Sequence, residues 1–344
     1  MIGYYIHHQG FGHLARAMTI CARLTHPITA LTSLDIPTPH PFAAVVKLPR
    51  DDEAEQAREP TANGALHWAP QHDNGFRARM QAVARWVAAA SPHAVVTDVS
   101  VEIAAFVRLL GVPVIVMALP GDRVDAPHQL AHRLADHIVA AWPQELYEPA
   151  WLRPFAEKTS YVGGISRFDG RVCNRSDGIA STGETSVIAD ARVLVLGGAG
   201  QGFDAEIGDC AQACPGTTWT ALGGTDGPWA DDPWPQICGA DVIVTHAGQG
   251  CVADVAAANR RAVVIPLARP FDEQRATAQV LRRYRLATVA QGWPDLRAWP
   301  GLLAHALAGG PRRWDRWQVR GAAARAAEAI ESTAQRCAIG GVAV

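Results

Sequence analysis

Short apolar runs alternate along the chain with longer segments in which apolar residues recur at helical spacing. This alternation predicts β-α-β units built on a parallel sheet. In the first half of the chain the predicted strands are Ile2–His7, Ile28–Leu31, Ala44–Leu48, Ala94–Thr97, Val112–Met117 and Ile138–Ala141. The helices predicted between them are Leu14–Leu24, Phe76–Ala90, Val101–Leu110 and Pro127–Ala135. The first half is therefore predicted to form one α/β domain.

Between about residues 163 and 189 Gly, Ser, Thr and charged residues dominate, which predicts an exposed, mobile connection. A second alternation follows. Its predicted strands are Arg192–Leu196, Thr217–Leu222, Val242–Thr245, Ala262–Pro266 and Ala287–Ala290, and its helices are Asp204–Ala213, Cys251–Ala258, Glu273–Arg283, Asp295–Leu307 and a last one near Asp315–Ser332. We expect a first domain over 1–165, a linker over 166–190, a second domain over 191–310, and a C-terminal helix over 311–344 that crosses back to the first. Two such halves predict parallel sheets facing a central cleft.

The composition is that of a globular protein. Of 344 residues 49% are hydrophobic and 19% charged, and a formal net charge of -2 gives no basic field for nucleic acid. No basic leader opens the chain, and no run reaches the roughly 20 apolar residues of a membrane span. The seven cysteines form no C-x-x-C pair, and the 13 histidines show no tight metal-site spacing. We expect a cytoplasmic protein with buried thiols, no metal and no other cofactor.

The first candidate site is Gly10-Phe11-Gly12-His13, between the opening strand and the first helix. Small residues such as Gly12 let a ligand approach the backbone, and a helix start offers unpaired N–H groups. His13 at this turn has the chemistry of a general base. The alternative is a hydrogen-bonded structural histidine.

The second is the glycine-rich segment from Gly197 to Gly202, with four glycines in six residues after a predicted strand. We interpret Gly198, Ala199 and Gly200 as a loop around a nucleotide or phosphate. The segment lacks the Lys-Ser/Thr of a P-loop and the strict dinucleotide spacing. A hinge loop is the alternative.

The third and most specific segment runs from Thr245 to Asp254, from the end of a strand into a helix. The amides around Gly250–Val252 would begin that helix, where N–H groups and the helix dipole favour a diphosphate. His246 is placed to donate to the same phosphate, and Asp254, one turn further, to accept from ribose hydroxyls. A glycine-rich turn with an acid near a helix start is the alternative.

The fourth segment runs from Pro270 to Ala278 and places Glu273 and Gln274 at the start of a helix. A carboxylate beside an amide suits the vicinal hydroxyls of a hexose. Acidic residues at this position are also ordinary caps.

Together the four segments resemble the GT-B glycosyltransferases, whose domains are Rossmann-like. The similarity extends to enzymes like the lipid II-forming N-acetylglucosaminyltransferase and to UDP-glycosyl and antibiotic glycosyltransferases. It implies that His246 and the backbone of Gly248, Gln249, Gly250 and Cys251 hold the diphosphate. It also implies that Asp254 holds ribose, that Glu273 and Gln274 hold the donor sugar, and that His13 faces the acceptor.

Two residues depart from the family pattern, and several others fall in its acceptor region. Asp254 stands where relatives usually carry Glu, and Thr277 where Asn is common. The segment Leu119–Arg123, with Asp98 one strand earlier, lies where such enzymes meet acceptors. Caps and surface charges are the alternative identity of each of these residues. Arg16 matches the family arginine after the histidine, without an assigned role.

The function expected is inverting, metal-independent transfer of a hexose or N-acetylhexosamine from a nucleoside-diphosphate sugar, most naturally a UDP-sugar, to a hydroxyl acceptor. A natural product or a cell-envelope precursor would suit as acceptor. The alternatives are a UDP-N-acetylhexosamine 2-epimerase and a non-catalytic nucleotide-sugar-binding protein. The segment Arg312–Trp317 mixes basic and aromatic residues. Either it touches the inner face of a membrane peripherally, or, as we favour, it packs its tryptophans against the protein.

Overall fold

The chain divides into two units in a computed structural model, which describes residues 1–53, 56–173, 188–199, 203, 207–224, 228–308 and 311–340. The first unit comprises Met1–Ala141, Glu148–Val162 and Ala322–Val344, and the second comprises Trp142–Tyr147 and Gly163–Gly321. Each unit contains one parallel β-sheet with its own helices. The α/β architecture predicted from the apolar runs is confirmed.

The first unit is built on a seven-stranded sheet of order β3-β2-β1-β4-β5-β6-β7, in which all neighbours are parallel. Its strands are β1 Ile2–Ile6, β2 Ile28–Thr32, β3 Ala44–Lys47, β4 Ala94–Asp98, β5 Val114–Ala118, β6 His137–Ala140 and β7 Thr159–Tyr161. Its first four helices are α1 Phe11–Cys21, α2 Asn74–Ala90, α3 Val101–Leu109 and α4 Ala126–Leu134. The central strands β1, β2, β4 and β5 are buried throughout, because helices cover both faces of a parallel sheet.

The parallel arrangement brings the candidate residues of the first unit to one edge of its sheet. In the register of β1 with β4, Ile6 lies opposite Asp98, and Asp98 in turn lies opposite Met117 of β5. Asp98 is the last residue of β4, and the segments that follow β1 and β5 carry His13 and Arg123. Ligands of open α/β sheets bind at this carboxyl edge.

The second unit has a five-stranded parallel sheet of order β12-β11-β10-β8-β9. Its strands are β8 Arg192–Ala199, β9 Thr218–Gly224, β10 Val242–Thr245, β11 Arg261–Val264 and β12 Thr288–Val289. Its helices are α5 Ile207–Ala213, α6 Trp234–Gly239, α7 Gln249–Ala257, α8 Glu273–Arg283 and α9 Trp299–Ala308. The last helix of the chain, α10 Ala322–Gly340, belongs to the first unit.

The glycine-rich segment after β8 differs from its predicted form. The strand continues three residues past the predicted end, so Gly198 and Ala199 lie in β8 and not in a loop. A register shift between Leu196 and Ala199 lets the strand pair again with β9, where Ala199 lies opposite Gly224. A Cβ atom on Gly223 of β9 would approach the Gly197 carbonyl oxygen to 2.6 Å, so this close approach needs glycine. Gly200 lies outside the described residues.

The first part of the predicted linker, residues 166–173, is part of the second unit and packs against its core. Ser166 and Phe168 are buried, and the Phe168 ring packs on Trp234 at a centroid distance of 4.9 Å. Arg171 forms a two-pronged ion pair with Asp232 at 2.9 and 3.0 Å. Residues 174–187 of the predicted linker lie outside the described residues.

Three of the seven cysteines are buried thiols, as expected, but two others are bonded. Cys173 forms a disulfide with Cys238 at the end of α6. Cys21, Cys210 and Cys214 are buried and unbonded. The sequence did not indicate this bridge. Seven cysteines are an odd number, and the two that pair are 65 residues apart.

The tryptophans of the segment from Arg312 to Trp317 are packed inside the protein. Trp314 and Trp317 are buried in the core of the second unit, and Trp314 Nε1 donates to the Arg260 carbonyl oxygen at 2.7 Å. These rings are not available to a membrane surface. Within the described ranges, no helix has the length and apolar character needed to cross a bilayer.

Candidate functional site

The start of helix α7 in the second unit carries the most specific sequence motif. Gly248 is the N-cap, and the first intrahelical bond runs from the Val252 N–H to the Gly248 carbonyl oxygen at 3.0 Å. The N–H groups of Gly250 and Cys251 therefore precede that bond and have no acceptor within the helix. The N-cap glycine has no side chain with which to cap this end, and the first turn holds no acid. The protein thus leaves the positive end of this helix without an anion of its own.

The two glycines of the motif serve different purposes. A Cβ atom on Gly248 would lie 2.5 Å from His246 Cε1, so glycine permits the histidine ring to approach the cap. A Cβ atom on Gly250 would meet no described atom within 4 Å. Packing therefore does not require glycine at position 250, and the backbone there is open to a ligand.

His246 is a buried, neutral imidazole whose tautomer is fixed by the loop. Burial, with a smaller contribution from Arg269, lowers its pKa to about 4. The Gly248 N–H donates to His246 Nδ1 at 2.9 Å, so the ring proton sits on Nε2. Nε2 lies 3.5 Å from the Sγ atom of Cys251, near the helix start. His246 can therefore act there as a neutral hydrogen-bond donor.

The side chain of Gln274 is hydrogen-bonded to both the loop that follows β10 and the loop that follows β11. Its amide oxygen accepts the N–H groups of Ala247 at 3.1 Å and Leu267 at 3.0 Å, and the side chain is buried. This leaves its amide nitrogen, and not its oxygen, for a sugar hydroxyl. A structural role for Gln274 was not visible in the sequence.

Glu273 begins helix α8 directly after two strained residues. Phe271 and Asp272 have φ values of +59° and +52°, in the left-handed region that non-glycine residues rarely adopt. Backbone strain of this kind is found at ligand sites, where the surrounding structure maintains it. Thr277, where relatives have Asn, is buried and donates to the Glu273 carbonyl oxygen at 3.1 Å, which is a packing role.

Asp254 lies one turn into α7 and is already in contact with two residues of the segment 166–173. Ser166 Oγ donates to its Oδ1 at 2.6 Å, and Arg167 Nε lies 3.4 Å from its Oδ2. Burial raises the pKa of Asp254 to about 6, against the opposing influence of Arg167 and Ser166. Sequence reasoning missed Ser166 and Arg167, because the segment was interpreted as a mobile linker.

In the first unit, His13 of α1 forms a buried polar cluster with Asp98 and Arg16. His13 Nδ1 lies 2.9 Å from Asp98 Oδ1, while Arg16 donates from Nε to Oδ2 at 3.1 Å and from Nη2 to Oδ1 at 2.5 Å. Burial alone would raise the pKa of Asp98, but the charges of Arg16 and His13 and their hydrogen bonds outweigh it and hold that pKa below its ordinary value. Asp98 is therefore an anion with three donors around it.

The anionic Asp98 fixes the His13 tautomer. A carboxylate only accepts hydrogen bonds, so His13 carries its proton on Nδ1 and presents the lone pair of Nε2. His7, whose ring centroid is 6.2 Å from that of His13, is kept neutral, because burial and nearby His13 lower its pKa to about 3. This arrangement is that of a histidine general base oriented by a carboxylate. Gly12 lies in the first turn of α1, with no described atom within 4 Å of a Cβ built on it.

Arg123 is buried in a second polar cluster at the same sheet edge. Its guanidinium donates to the Pro120 carbonyl oxygen at 3.1 and 3.3 Å and to His128 Nε2 at 3.1 Å. His128 Nδ1 and His67 Nε2 in turn contact the two carboxylate oxygens of Asp125, at 2.5 and 2.6 Å.

Two groups of side chains have metal-ligand chemistry among the described residues: His67, Asp125 and His128, and His8, Asp51 and Asp52. In each group an arginine occupies a potential ligand: Arg123 contacts His128, and Arg79 pairs with Asp51 at 3.0 Å. A nearby guanidinium opposes a bound cation. The expectation that no metal is required stays a prediction.

Comparison with known proteins matches a part of the second unit to a family model. Residues 228–291 match the glycosyltransferase family 28 C-terminal domain. A curated relative from Rubrobacter xylanophilus is 28% identical over 189 residues, covering 48% of this chain and 52% of the relative. It is named UDP-N-acetylglucosamine--N-acetylmuramyl-(pentapeptide) pyrophosphoryl-undecaprenol N-acetylglucosamine transferase. The matching region thus spans about half the length of that relative.

Solved structures extend the comparison to almost the whole chain. The glycotransferase of kitacinnamycin is similar with a TM-score of 0.66 and 14% identity, covering 96% of this chain and 98% of that protein. MurG of Acinetobacter baumannii is similar with a TM-score of 0.63 and 17% identity, covering 96% of this chain and 99% of that protein. The chain has the GT-B glycosyltransferase fold of two Rossmann-like units, and its residues 228–291 match the family 28 C-terminal domain.

Proposed function

We propose that this protein is a glycosyltransferase that uses a nucleoside-diphosphate sugar, with UDP as the nucleotide, and a hydroxyl acceptor. The observation that carries the proposal is the start of α7, where the N–H groups of Gly250 and Cys251 precede the first intrahelical bond, the N-cap is glycine and the first turn holds no acid. This segment falls within the matched family 28 domain. The name of the curated relative contains a UDP-sugar donor, which supports the choice of nucleotide.

In the proposed reaction the second unit holds the donor and the first supplies the base. Amides at the start of α7 and the Nε2–H of His246 bind the diphosphate and stabilise its negative charge as it leaves. Asp254 accepts from ribose hydroxyls, and Glu273 with the amide nitrogen of Gln274 binds the sugar. His13 Nε2 removes the acceptor proton while the acceptor oxygen attacks the anomeric carbon, which inverts its configuration. Helix-terminal amides serve in place of a metal ion.

The experiment is to supply UDP-N-acetylglucosamine and UDP-glucose with a panel of hydroxyl acceptors and to measure UDP release and product mass. We expect His13→Ala to lower turnover by about 10²–10⁴-fold, the range of general-base catalysis, while UDP binding stays within about twofold. The matched control is His93→Ala, since His93 is exposed.

Three results would contradict the proposal, each in a different way. A new stereoisomer of the donor formed without any acceptor would indicate an epimerase. UDP binding without turnover across the panel would indicate a binding protein. Full activity of the His13→Ala variant would show that His13 is structural.

A further inference from the structure

Arg16 occupies a position in the first unit whose role the sequence left open. It lies three residues after His13 on α1, so the two side chains are on the same face of the helix. The Arg16 side chain is 9% exposed and Asp98 is fully buried. Removing a guanidinium from water costs free energy, so a buried arginine needs hydrogen bonds that offset this cost.

We propose that Arg16 is a positioning residue for the His13 base, acting through Asp98. The proposal rests on the proposed function, in which His13 removes the acceptor proton. Arg16 donates hydrogen bonds to both carboxylate oxygens of Asp98, from Nε to Oδ2 at 3.1 Å and from Nη2 to Oδ1 at 2.5 Å. Two hydrogen bonds from one planar guanidinium fix the plane of the carboxylate. Oδ1 then points at His13 Nδ1, which it meets at 2.9 Å.

Arg16 also sets the charge against which His13 takes up a proton. With a neutral imidazole, Arg16 and Asp98 cancel, and proton uptake takes the cluster to a net charge of about +1. A histidine and aspartate without the arginine would pass instead from about -1 to zero, which favours the imidazolium. Arg16 Nη2 is 3.1 Å from His13 Nδ1, so the opposing charge is close. Loss of Arg16 would therefore leave the negative charge of Asp98 unopposed beside the His13 ring.

The other titratable groups around the cluster do not supply this effect. Tyr4 of β1 is buried, and burial, with the Asp98 charge, raises its pKa well above the ordinary value, so it stays neutral. His7, after β1, is kept neutral by its lowered pKa. Cys21, at the end of α1, is a buried thiol whose pKa burial raises well above its ordinary value, so it is uncharged. Arg16 therefore supplies the positive charge nearest to His13 and Asp98 within the described structure.

The test compares the pH dependence of kcat/KM for wild type, Arg16→Lys, Arg16→Met and the double variant Arg16→Met/Asp98→Asn. We expect Arg16→Met to move the acid limb of the kcat/KM profile to higher pH by about one unit or more. Without the Arg16 charge, the negative charge of Asp98 favours the imidazolium form of His13. Arg16→Lys keeps the positive charge, so the acid limb of its profile should be unchanged. Loss of the planar guanidinium, which binds both oxygens of Asp98, should lower kcat about tenfold. The double variant removes both charges, so the acid limb of its profile should return to lower pH. It also provides a second measurement if Arg16→Met alone does not fold, because it leaves no unpaired buried charge.

Arg23→Met is the control, since Arg23 is exposed just after the same helix. UDP affinity should be unchanged in all variants, because donor groups lie in the other unit. An unshifted acid limb in Arg16→Met, or a kcat for Arg16→Lys equal to wild type, would overturn the role of Arg16. Absence of UDP-sugar turnover by the wild type would instead contradict the proposed function.

Discussion

Asp98 shows how one buried carboxylate can decide the state of a base. It is fully buried and accepts from His13 and Arg16 through both oxygens. We predict that Asp98→Asn lowers kcat by about 10²–10⁴-fold, because an amide has one acceptor oxygen and cannot fix the His13 tautomer while binding Arg16. Rapid-quench measurement of a single turnover tests this, with UDP calorimetry as the folding control. A rate within threefold of wild type would exclude an orienting role.

The raised pKa of Asp254 predicts that its contribution to the free energy of unfolding depends on pH. Burial raises its pKa to about 6, so the folded protein holds a proton on it at a pH where the unfolded chain has released it. The contribution of Asp254 to the free energy of unfolding therefore falls as pH rises towards 6, and is level above that. We expect the Tm of Asp254→Asn relative to wild type to increase between pH 4 and 7. Thermal unfolding at several pH values measures it.

The exposed Asp231 provides the control for that series. The Tm difference between Asp231→Asn and wild type gives the pH dependence that removal of an exposed carboxylate produces. If the Asp254→Asn difference follows the same pH dependence, Asp254 is not buried as described. UDP affinity of Asp254→Asn tests its separate, proposed contact with ribose.

At the scale of single residues, chemistry that is local in sequence was predictable and contact between distant residues was not. His13 stands out because a glycine turn and a helix start surround it. Its link to Asp98 spans 85 positions and depends on the register of β1 and β4. Ser166 and Arg167 carry no pattern of their own, and only the fold brings them to Asp254.

At the scale of elements, the start of α7 gives opposite expectations for stability and binding. Gly250→Glu places a carboxylate in the first turn, where the dipole should stabilise the helix by about 0.3–1 kcal/mol. The same charge should repel a diphosphate and weaken UDP binding by tenfold or more, relative to the isosteric Gly250→Gln variant. A Cβ at this position meets no described atom within 4 Å, so both variants should fold. Thermal unfolding and calorimetry measure the two effects, and equal UDP affinity of the two variants would contradict the assignment.

Element boundaries were predictable where apolar runs are long and were missed where they are short. The strand β10 and helix α8 have the predicted bounds. The three-residue strand β7, Thr-Ser-Tyr, carries no apolar run, and α6 is a six-residue helix with two prolines nearby. The strand β8 extends through two glycines because it pairs with β9 again after a register shift, where Ala199 lies opposite Gly224. Pairing between strands overrides the local tendency of glycine to form a turn.

At the scale of the whole molecule, we predict transfer without a metal. Turnover of UDP-sugar should be unchanged, within about twofold, after treatment with excess EDTA, because helix-terminal amides neutralise the leaving diphosphate. NMR of the product should show inverted anomeric configuration. Loss of activity on chelation, restored by a divalent ion, would contradict the first expectation. A retained configuration would contradict the second.

The fold could be predicted over most of the chain, since the alternation of strands and helices specifies two parallel sheets. The packing of residues 166–173 within the second unit was not predictable. Polar and glycine-rich composition indicates a linker, while the contacts of Phe168 with Trp234 and of Arg171 with Asp232 involve residues more than 60 positions away.

The central claim, that a diphosphate binds the N–H groups at the start of α7, is tested most directly by removing one of them. Gln249 is the first residue of α7, where proline is well tolerated, and Gly248 before it has the extended conformation that proline requires (φ -68°, ψ 141°). Gln249→Pro deletes the N–H, whereas Gln249→Ala keeps it. The account predicts equal Tm values, UDP affinity within twofold of wild type for Gln249→Ala, and about tenfold weaker binding for Gln249→Pro. Equal UDP affinity of the two variants would contradict it.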